Sequence, residues 1–242
     1  MFWSPLFSML SALFALAAMA DLRDWLESVA RKHKSGDAGE RKVAEALAQM
    51  GDLTFENDLV FVQDGRTVQV DHVVRGVDCL WVVETKNWSG RLVGSPEDAG
   101  WVLTRKDGST DCHHNPLWQN RNHVRALSKA VGAPCEGMVV MSGSVEHASG
   151  KFPWGVIRLQ RMRNVLGGKA RTPRTGIPPG SVDLNAAWEK VRGMARAEGK
   201  QAMLAAHVAR LTEKYGRKPW RGWIKISLAC CLLALAFQTL TK

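Results

Sequence analysis

Three charged residues lie where two apolar segments end, and their types are those that hydrolytic chemistry requires. Asp71 lies in "TVQVDHVV", and Glu84 and Lys86 lie in "VETK", which follows the apolar run "CLWVV". Residues i and i+2 of a strand point to the same face of a sheet, so Glu84 and Lys86 share a face. A turn near Gly76 would make the two segments neighbouring strands and bring Asp71 close to Glu84.

Two carboxylates at close range repel each other unless a cation lies between them. Mg²⁺ suits this arrangement, because it binds through one or two carboxylates and keeps several waters. A neighbouring lysine can orient or help deprotonate a water and can stabilise charge that develops on a phosphate. The pattern therefore indicates metal-assisted hydrolysis of a phosphodiester.

The same residues also have a purely structural interpretation. Glu84 and Lys86 can form an ion pair at a strand end, and Asp71 can be a turn residue. The spacing of the three residues does not by itself decide between the two interpretations. His72, next to Asp71, is a secondary candidate for binding phosphate or tuning the acidic residues.

The segment before these strands predicts an amphipathic helix. In "SGDAGERKVAEALAQMGD" we expect the helix to begin at about Gly39. Glu40 would then lie in the first turn, where the helix macrodipole favours an anion, and this is its structural explanation. The apolar face, at helical spacing, consists of Val43, Ala44, Leu47 and Met50.

The following segments predict a sheet and further helices. Asp64-Gly65 is a strong hairpin signal, "RGVD" is a second turn, and the run "CLWVV" is typical of a strand covered on both faces. "NPLWQNRNHVRALSKAVGAP" predicts a second helix, and "GMVVMSG" and "GVIRL" predict two more strands. The pattern indicates an α/β (α+β) fold with a mixed central β-sheet flanked by helices.

Two other groups of residues have side chains of the types that binding sites use. Cys112, His113 and His114 are adjacent in "DCHHN", but adjacent residues rarely chelate one Zn²⁺ together, so we expect a polar loop. Trp88 and Trp101 could stack on nucleobases. Packing against the sheet is the interpretation that we favour for both.

The composition is basic, with 33 Lys+Arg against 23 Asp+Glu and a formal net charge of +10. A basic excess favours a polyanion or an anionic membrane surface as partner. Membrane proteins that keep basic residues on the cytoplasmic side offer an equally good explanation. The five cysteines form no CxxC pair, which argues against a disulfide framework and favours a reducing compartment.

Both ends of the chain predict membrane segments. Residues 1–20 carry no charge and are followed by "RKHK", and "RKPWRGWIK" precedes the apolar segment at 222–241. These basic flanks predict an inner (cytoplasmic) membrane protein whose central part faces the cytoplasm. The alternative for the first segment is a secretory signal peptide, since "AMA" before Asp21 is similar to a cleavage site. A buried helix is the alternative for the second.

Five separated blocks resemble one known family. "GDAGERKVAEAL", "TVQVDHVV", "LWVVETKNWSGRL", the "GW" at 100–101 and "NPLWQNRNHVRAL" occur in this order. Together they resemble the nuclease-related domain (NERD) family, which is grouped with the PD-(D/E)xK nuclease superfamily. The resemblance implies a restriction-endonuclease-like core between residue 35 and about residue 141.

The resemblance also implies roles for individual residues. It implies that Asp71 and Glu84 bind a metal ion, Mg²⁺ or Mn²⁺, and that Lys86 is the catalytic lysine. Glu40 corresponds to an acidic residue that contacts the metal or its water shell, and the carbonyl of Thr85 corresponds to a further ligand. The remaining residue that the resemblance assigns to the active site or the substrate is Gln119.

We therefore expect a membrane-tethered, Mg²⁺-dependent nuclease that acts on DNA at the cytoplasmic face. The alternative is a catalytically inactive nucleic-acid-binding or scaffold protein of the inner membrane. No oligomeric state is predicted. The expected domains are a membrane helix or signal-like segment at 1–20, the nuclease-like domain at 35–147, a basic linker at 148–180, a helical region at 181–215 and a membrane helix at 222–241.

Overall fold

The computed structural model describes residues 34–172 and 183–197 continuously, together with eight shorter pieces between residues 16 and 209. Residues 35–209 make up one of the two compact units of the chain. The elements are helix α1 (34–48), then strands β1 (Phe55–Gln63), β2 (Arg66–Arg75), β3 (Leu80–Lys86), β4 (Gly90–Val93), β5 (Gly100–Thr104) and β6 (Thr110–His114), helix α2 (Pro116–Val131), strands β7 (Cys135–Met141), β8 (Val145–His147) and β9 (Val156–Arg158), a 3-10 helix (Leu159–Arg161), and helices α3 (Met162–Arg171) and α4 (Leu184–Ala195).

The main sheet has five strands in the order β1-β2-β3-β7-β9. The first three are antiparallel, whereas β7 and β9 run parallel to β3, so the predicted mixed sheet is confirmed. The predicted hairpin is also confirmed. Asp64 and Gly65 form its two-residue loop with φ angles of 51° and 71°, the positive values that this turn requires.

Strand β3 lies in the middle of this sheet and is buried on both faces, as the run "CLWVV" predicted. Its side chains alternate between two hydrophobic clusters. One cluster joins Trp81 and Val83 to α1 and α3, and the other joins Leu80 and Val82 to α2 and α4. A strand fixed from both sides is a rigid support for the charged residues at its end.

A second sheet of four strands, in the order β6-β5-β4-β8, was not anticipated from the sequence. Trp101 of β5 is fully buried in it and donates from Nε1 to the Ser95 carbonyl at 2.8 Å, so its predicted structural role is confirmed. The prediction of a polar loop at "DCHHN" was wrong. Residues 111–114 of this segment lie in the edge strand β6, and its polar composition conceals its strand structure.

The predicted basic linker at 148–180 is wrong over much of its length. Residues 156–171 form β9, the 3-10 helix and α3, and Met162, Leu166 and Ala170 are buried in the main core. These apolar residues recur every four positions and face the sheet, while the lysines and arginines between them dominate the composition. Residues 173–182 lie outside the described part.

The two predicted membrane segments can be compared with the structure only in small part. Residues 222–241, and 1–20 except for four positions, lie outside the described residues. Within the described residues, the structure contains no helix with the length and apolar character needed to cross a bilayer.

Helix α1 differs from its prediction at its start. It already covers residue 34, so Gly39 lies inside the helix rather than at its beginning. The glycine is needed there for close packing, because a Cβ at this position would lie 2.6 Å from Cβ of Asn87 and 2.8 Å from Oγ of Ser142. Gly39 therefore allows α1 to approach the end of β3.

We expect Gly39→Ala to lower the free energy of unfolding by about 1–3 kcal/mol, because the added methyl group overpacks this contact. Gly36→Ala in the same helix is the matched control, since a Cβ there meets nothing within 4 Å. It should raise the free energy of unfolding by up to about 1 kcal/mol through helix propensity. Urea unfolding measures both changes, and shifts of the same sign would contradict the packing argument.

Candidate active site

The pairing of β2 with β3 brings the two predicted carboxylates together. His72 pairs with Val83, so Asp71 and Glu84 follow at the next position across the two strands. The side chain of Asp71 also links the two strands, because its Oδ2 accepts a hydrogen bond from the Thr85 N–H at 2.7 Å. Asp71 therefore belongs to a strand, and its interpretation as a turn residue is excluded.

Lys86 forms a buried ion pair that joins β3 to α2. Its Nζ donates to Oε1 of Glu84 at 2.7 Å and to Oε1 of Gln119 at 3.0 Å. The side chain of Glu84 is only 2% exposed and that of Lys86 18%. Three of the residues that the sequence suggested for the site are therefore in direct contact.

The sequence reasoning missed His123, which also contacts Glu84. Its Nδ1 lies 3.1 Å from Oε2 of Glu84. Within the described part of the chain, neither of these two buried atoms has a hydrogen bond of ordinary geometry. His123 follows Gln119 by four residues in α2, so both side chains project from one face of the helix. That spacing was the signal available in the sequence.

The acidic residues of the site influence one another. Burial raises the pKa of Asp71 well above its usual value, and the charges of Glu84 and Glu40 raise it further. Burial also raises the pKa of Glu40 to about 6, with contributions from Asp58, Asp37 and Glu84. Negative charge is thus costly at this place, and a cation would relieve the repulsion.

Glu84 behaves differently because it has a cation beside it. Burial disfavours its charged form, but the ammonium of Lys86 and the ring of His123 outweigh this effect and lower its pKa to about 2. The pKa of Lys86 is raised in turn, because the charges of Glu84 and the nearby Asp71 outweigh the burial of its ammonium. Glu84 and Lys86 are therefore both charged at neutral pH.

Glu40 reaches the site from α1. Because the helix already covers residue 34, Glu40 lies beyond its first turn, and the macrodipole explanation of this residue is wrong. Its charge instead contributes to raising the pKa of Asp71. Asp58, which the sequence reasoning also missed, adds a fourth carboxylate. It has a positive φ of 52° within β1, and no local sequence pattern indicated it.

His72, the secondary candidate, has a structural role outside the site. It is 1% exposed, its Nδ1 lies 2.7 Å from Oδ1 of Asn57, and its Nε2 lies 3.2 Å from Oγ1 of Thr85. Burial lowers its pKa to about 4, so the imidazole is neutral at physiological pH. The ring connects β1, β2 and β3 and does not reach a surface where phosphate could bind.

The donor set fits a hard divalent ion with a partial water shell. No group of three or more His, Cys, Asp and Glu side chains in the described residues is arranged to hold a metal ion. An ion that takes the carboxylates of Asp71 and Glu84 and completes its shell with a main-chain carbonyl and waters remains compatible with this finding. The buried Oε2 of Glu84 has no hydrogen bond of ordinary geometry and, with His123 Nδ1 3.1 Å away, keeps a lone pair for such an ion.

One family model matches the part of the chain that contains the candidate site. The family model of the nuclease-related domain matches residues 35–142, which contain α1 from residue 35 onward, α2 and every residue of the candidate site. An uncharacterized protein of Bacillus anthracis is 34% identical over 123 residues, which is 47% of this chain and 57% of that protein. The chain thus spans little more than half of this relative, and no solved structure matches the chain significantly. Residues 35–142 thus match the model of the nuclease-related domain family, which is grouped with the PD-(D/E)xK nuclease superfamily.

Proposed function

We propose that this protein hydrolyses phosphodiester bonds of DNA with a bound Mg²⁺ or Mn²⁺. The observation that carries the proposal is the buried Glu84–Lys86 ion pair beside Asp71, a carboxylate whose pKa burial and neighbouring charges raise. A site of this composition favours a divalent cation and keeps an ammonium next to it.

Asp71 and Glu84 would hold the ion, with the carbonyl of Thr85 as a further ligand. A bound Mg²⁺ would lower the pKa of a coordinated water and stabilise charge on the phosphate. Glu40 lies close enough to influence both carboxylates electrostatically, and we assign it to the water shell of the ion. The crowding of carboxylates then has a purpose, since each additional negative charge strengthens cation binding.

Lys86 would orient the attacking water and stabilise negative charge on the phosphate. Its ammonium is held by two acceptors, Oε1 of Glu84 and Oε1 of Gln119, which leaves its third N–H for a ligand. Gln119 accordingly acts by fixing the direction of the ammonium. Such preorganised charge is effective because it needs no rearrangement during the reaction.

DNA as the substrate is supported by the basic composition, with a net charge of +10. The segment 151–180 contains seven lysines and arginines and no acidic residue, which suits contacts with phosphates.

We also propose that residues 1–20 and 222–241 attach the protein to the inner membrane with the nuclease domain in the cytoplasm. Fractionation of cells that express the full chain tests this attachment, and release by deletion of both segments would support it.

A nicking assay on supercoiled plasmid tests the proposed activity. We expect the full chain to cleave with Mg²⁺ and not with excess EDTA, and Asp71→Asn to lose detectable cleavage. The substitution preserves an oxygen that can accept from the Thr85 N–H, so the fold should be retained. The matched control is Asp64→Asn, because Asp64 is an exposed aspartate in an ion pair with Lys129 outside the site.

Equal cleavage by Asp71→Asn and by the unchanged protein would point to a contaminating nuclease and contradict the proposal. If the folded protein binds DNA but cleaves it with neither Mg²⁺ nor Mn²⁺, the domain is a binding module.

A further inference from the structure

Trp154 is the most exposed large apolar residue in the described part of the chain. It lies in the turn that precedes β9, and 81% of its surface is accessible to solvent. A tryptophan offers more apolar area than any other side chain, and leaving it in water forgoes the gain from burying it. The exposed indole ring therefore requires an explanation in terms of what it can bind.

A lysine from α3 lies beside this ring. The Nζ of Lys169 is 5.7 Å from the centroid of the Trp154 ring and 5.7 Å from that of Trp81, distances typical of cation–π contacts. Trp81 is only 6% exposed and belongs to the core of the main sheet. Lys169 thus connects the exposed ring to a buried one, which gives Trp154 a defined charged neighbour on the folded core.

The surroundings of Trp154 along the chain are entirely basic. The segment 151–171 contains six lysines and arginines and no aspartate or glutamate. Three of the arginines contact other parts of the protein; they are Arg158, Arg163 and Arg171. Within the described residues, the exposed Lys151 and Arg161 form no ion pair, so their charges remain available to an anion.

We propose that Trp154 and Lys169, with Lys151, form a subsite for one unpaired nucleotide of a single-stranded nucleic acid. The base would stack on the indole ring, and the adjoining phosphates would contact the ammonium groups. An aromatic platform combined with basic side chains is the arrangement by which proteins hold single strands without reading their sequence. A paired base, whose faces are already stacked in a duplex, cannot use such a platform.

The position of this subsite relative to the active site follows from the sheet. Val156 of β9 pairs with Val139 of β7, and Val139 pairs with Glu84 of β3. Neighbouring strands lie about 4.8 Å apart, so the main chain at Val156, two residues after Trp154, is about 10 Å from that of Glu84. The side chains face opposite sides of the sheet, because Lys169 and Trp81 belong to the α3 side whereas the side chain of Glu84 contacts His123 of α2. The inference therefore does not depend on the proposed function.

Binding of a fluorescent oligothymidine, measured by anisotropy in EDTA, tests the subsite without any cleavage. We expect Trp154→Ala to weaken binding about 10-fold or more and Trp154→Phe to retain most of it, because stacking needs only an aromatic face. Trp154→Ala should leave the dependence of affinity on salt unchanged, whereas Lys151→Gln should reduce its slope by about 1. Val93→Ala, which removes an exposed apolar side chain from the second sheet, is the control.

Equal affinity of Trp154→Ala and the unchanged protein for oligothymidine, with both proteins folded, would overturn the subsite. So would an equal loss of affinity for a blunt duplex, because stacking on a free base predicts a selective effect. If Trp154→Ala instead loses only binding to vesicles of phosphatidylcholine and phosphatidylserine, the patch is a membrane contact and the inference is wrong. A selective loss of single-strand binding in a protein that cleaves nothing would support the subsite and contradict the proposed nuclease activity.

Discussion

Replacing Lys86 by methionine should lower the free energy of unfolding by about 3–5 kcal/mol at neutral pH, because it leaves a buried carboxylate without its cation. Glu84 is 2% exposed, and its closest positive charge is the ammonium 2.7 Å away. Methionine has a similar length and no charge, so the change in packing is small. The same variant should lose plasmid cleavage, since no group remains to orient the water.

The effect of Lys86→Met should depend on pH in a defined direction. In the unchanged protein the pKa of Glu84 is lowered to about 2. Its charge therefore stabilises the fold at every pH above the range in which glutamates of the unfolded chain titrate, and this stabilisation is lost as the pH falls through about 2. In the variant, burial and the nearby Asp71 should raise that pKa above the unfolded value. The variant then gains stability when Glu84 takes up a proton. The difference in the free energy of unfolding between the variant and the unchanged protein should therefore become smaller in acid.

Urea unfolding at a series of pH values measures this dependence. Glu84→Gln combined with Lys86→Met should recover much of the lost stability, because no buried charge is left unpaired. Lys129→Met is the matched control, since its ion pair with Asp64 is exposed and worth at most about 1 kcal/mol. A deficit that is the same at neutral and acidic pH would show that packing rather than charge explains the effect.

Replacing His123 by alanine should weaken metal binding about 10–100-fold, the usual effect of removing a group that orients a ligating carboxylate. His123 reaches Oε2 of Glu84, while Gln119, one turn earlier in α2, reaches Lys86. One helix thus positions both members of the Glu84–Lys86 pair. Calorimetric titration with Mn²⁺ measures the affinity directly, without reference to cleavage.

Substitutions at His123 and Gln119 should have distinguishable effects on cleavage. His123→Ala should raise the metal concentration needed for half-maximal cleavage, whereas Gln119→Ala should mainly lower the maximal rate, because it frees the ammonium. His123→Gln, which retains a donor, should recover part of the metal affinity. His114→Ala removes an exposed histidine of β6 and serves as the control. Unchanged Mn²⁺ affinity in His123→Ala would exclude the positioning role.

The central part of the fold could be predicted because the local sequence patterns indicate the same elements that the packing of the whole domain requires. The Asp-Gly hairpin, the continuous apolar run of β3 and the segment "NPLWQNRNHVRALSKAVGAP" of α2 each predicted the element that the structure contains. The contact between Glu84 and Lys86 also followed from the strand period of two. The closeness of Asp71 depended on β2 and β3 being neighbours, which the turn at 75–78 indicated.

The rest could not be predicted, because it depends on contacts between distant parts of the chain. Strands β4, β5, β6 and β8 have three to five residues each, and β6 contains no apolar periodicity. The basic composition of 151–171 concealed the buried face of α3. His123 and Asp58 approach the site from α2 and β1, and only the folded arrangement brings them there.

The ion pair between Glu84 and Lys86 has a consequence for how such a protein changes under mutation. Since removing either residue alone leaves a buried charge unpaired, single substitutions would tend to preserve both residues even in a chain that no longer needed catalysis. Asp71 is different, because burial and its acidic neighbours make its ionised form costly. In a chain without selection for catalysis, Asp71 should be replaced by a neutral residue before Glu84 or Lys86 is replaced. Among variants of this domain, an acidic residue at position 71 is therefore a better marker of an active enzyme than the lysine at position 86.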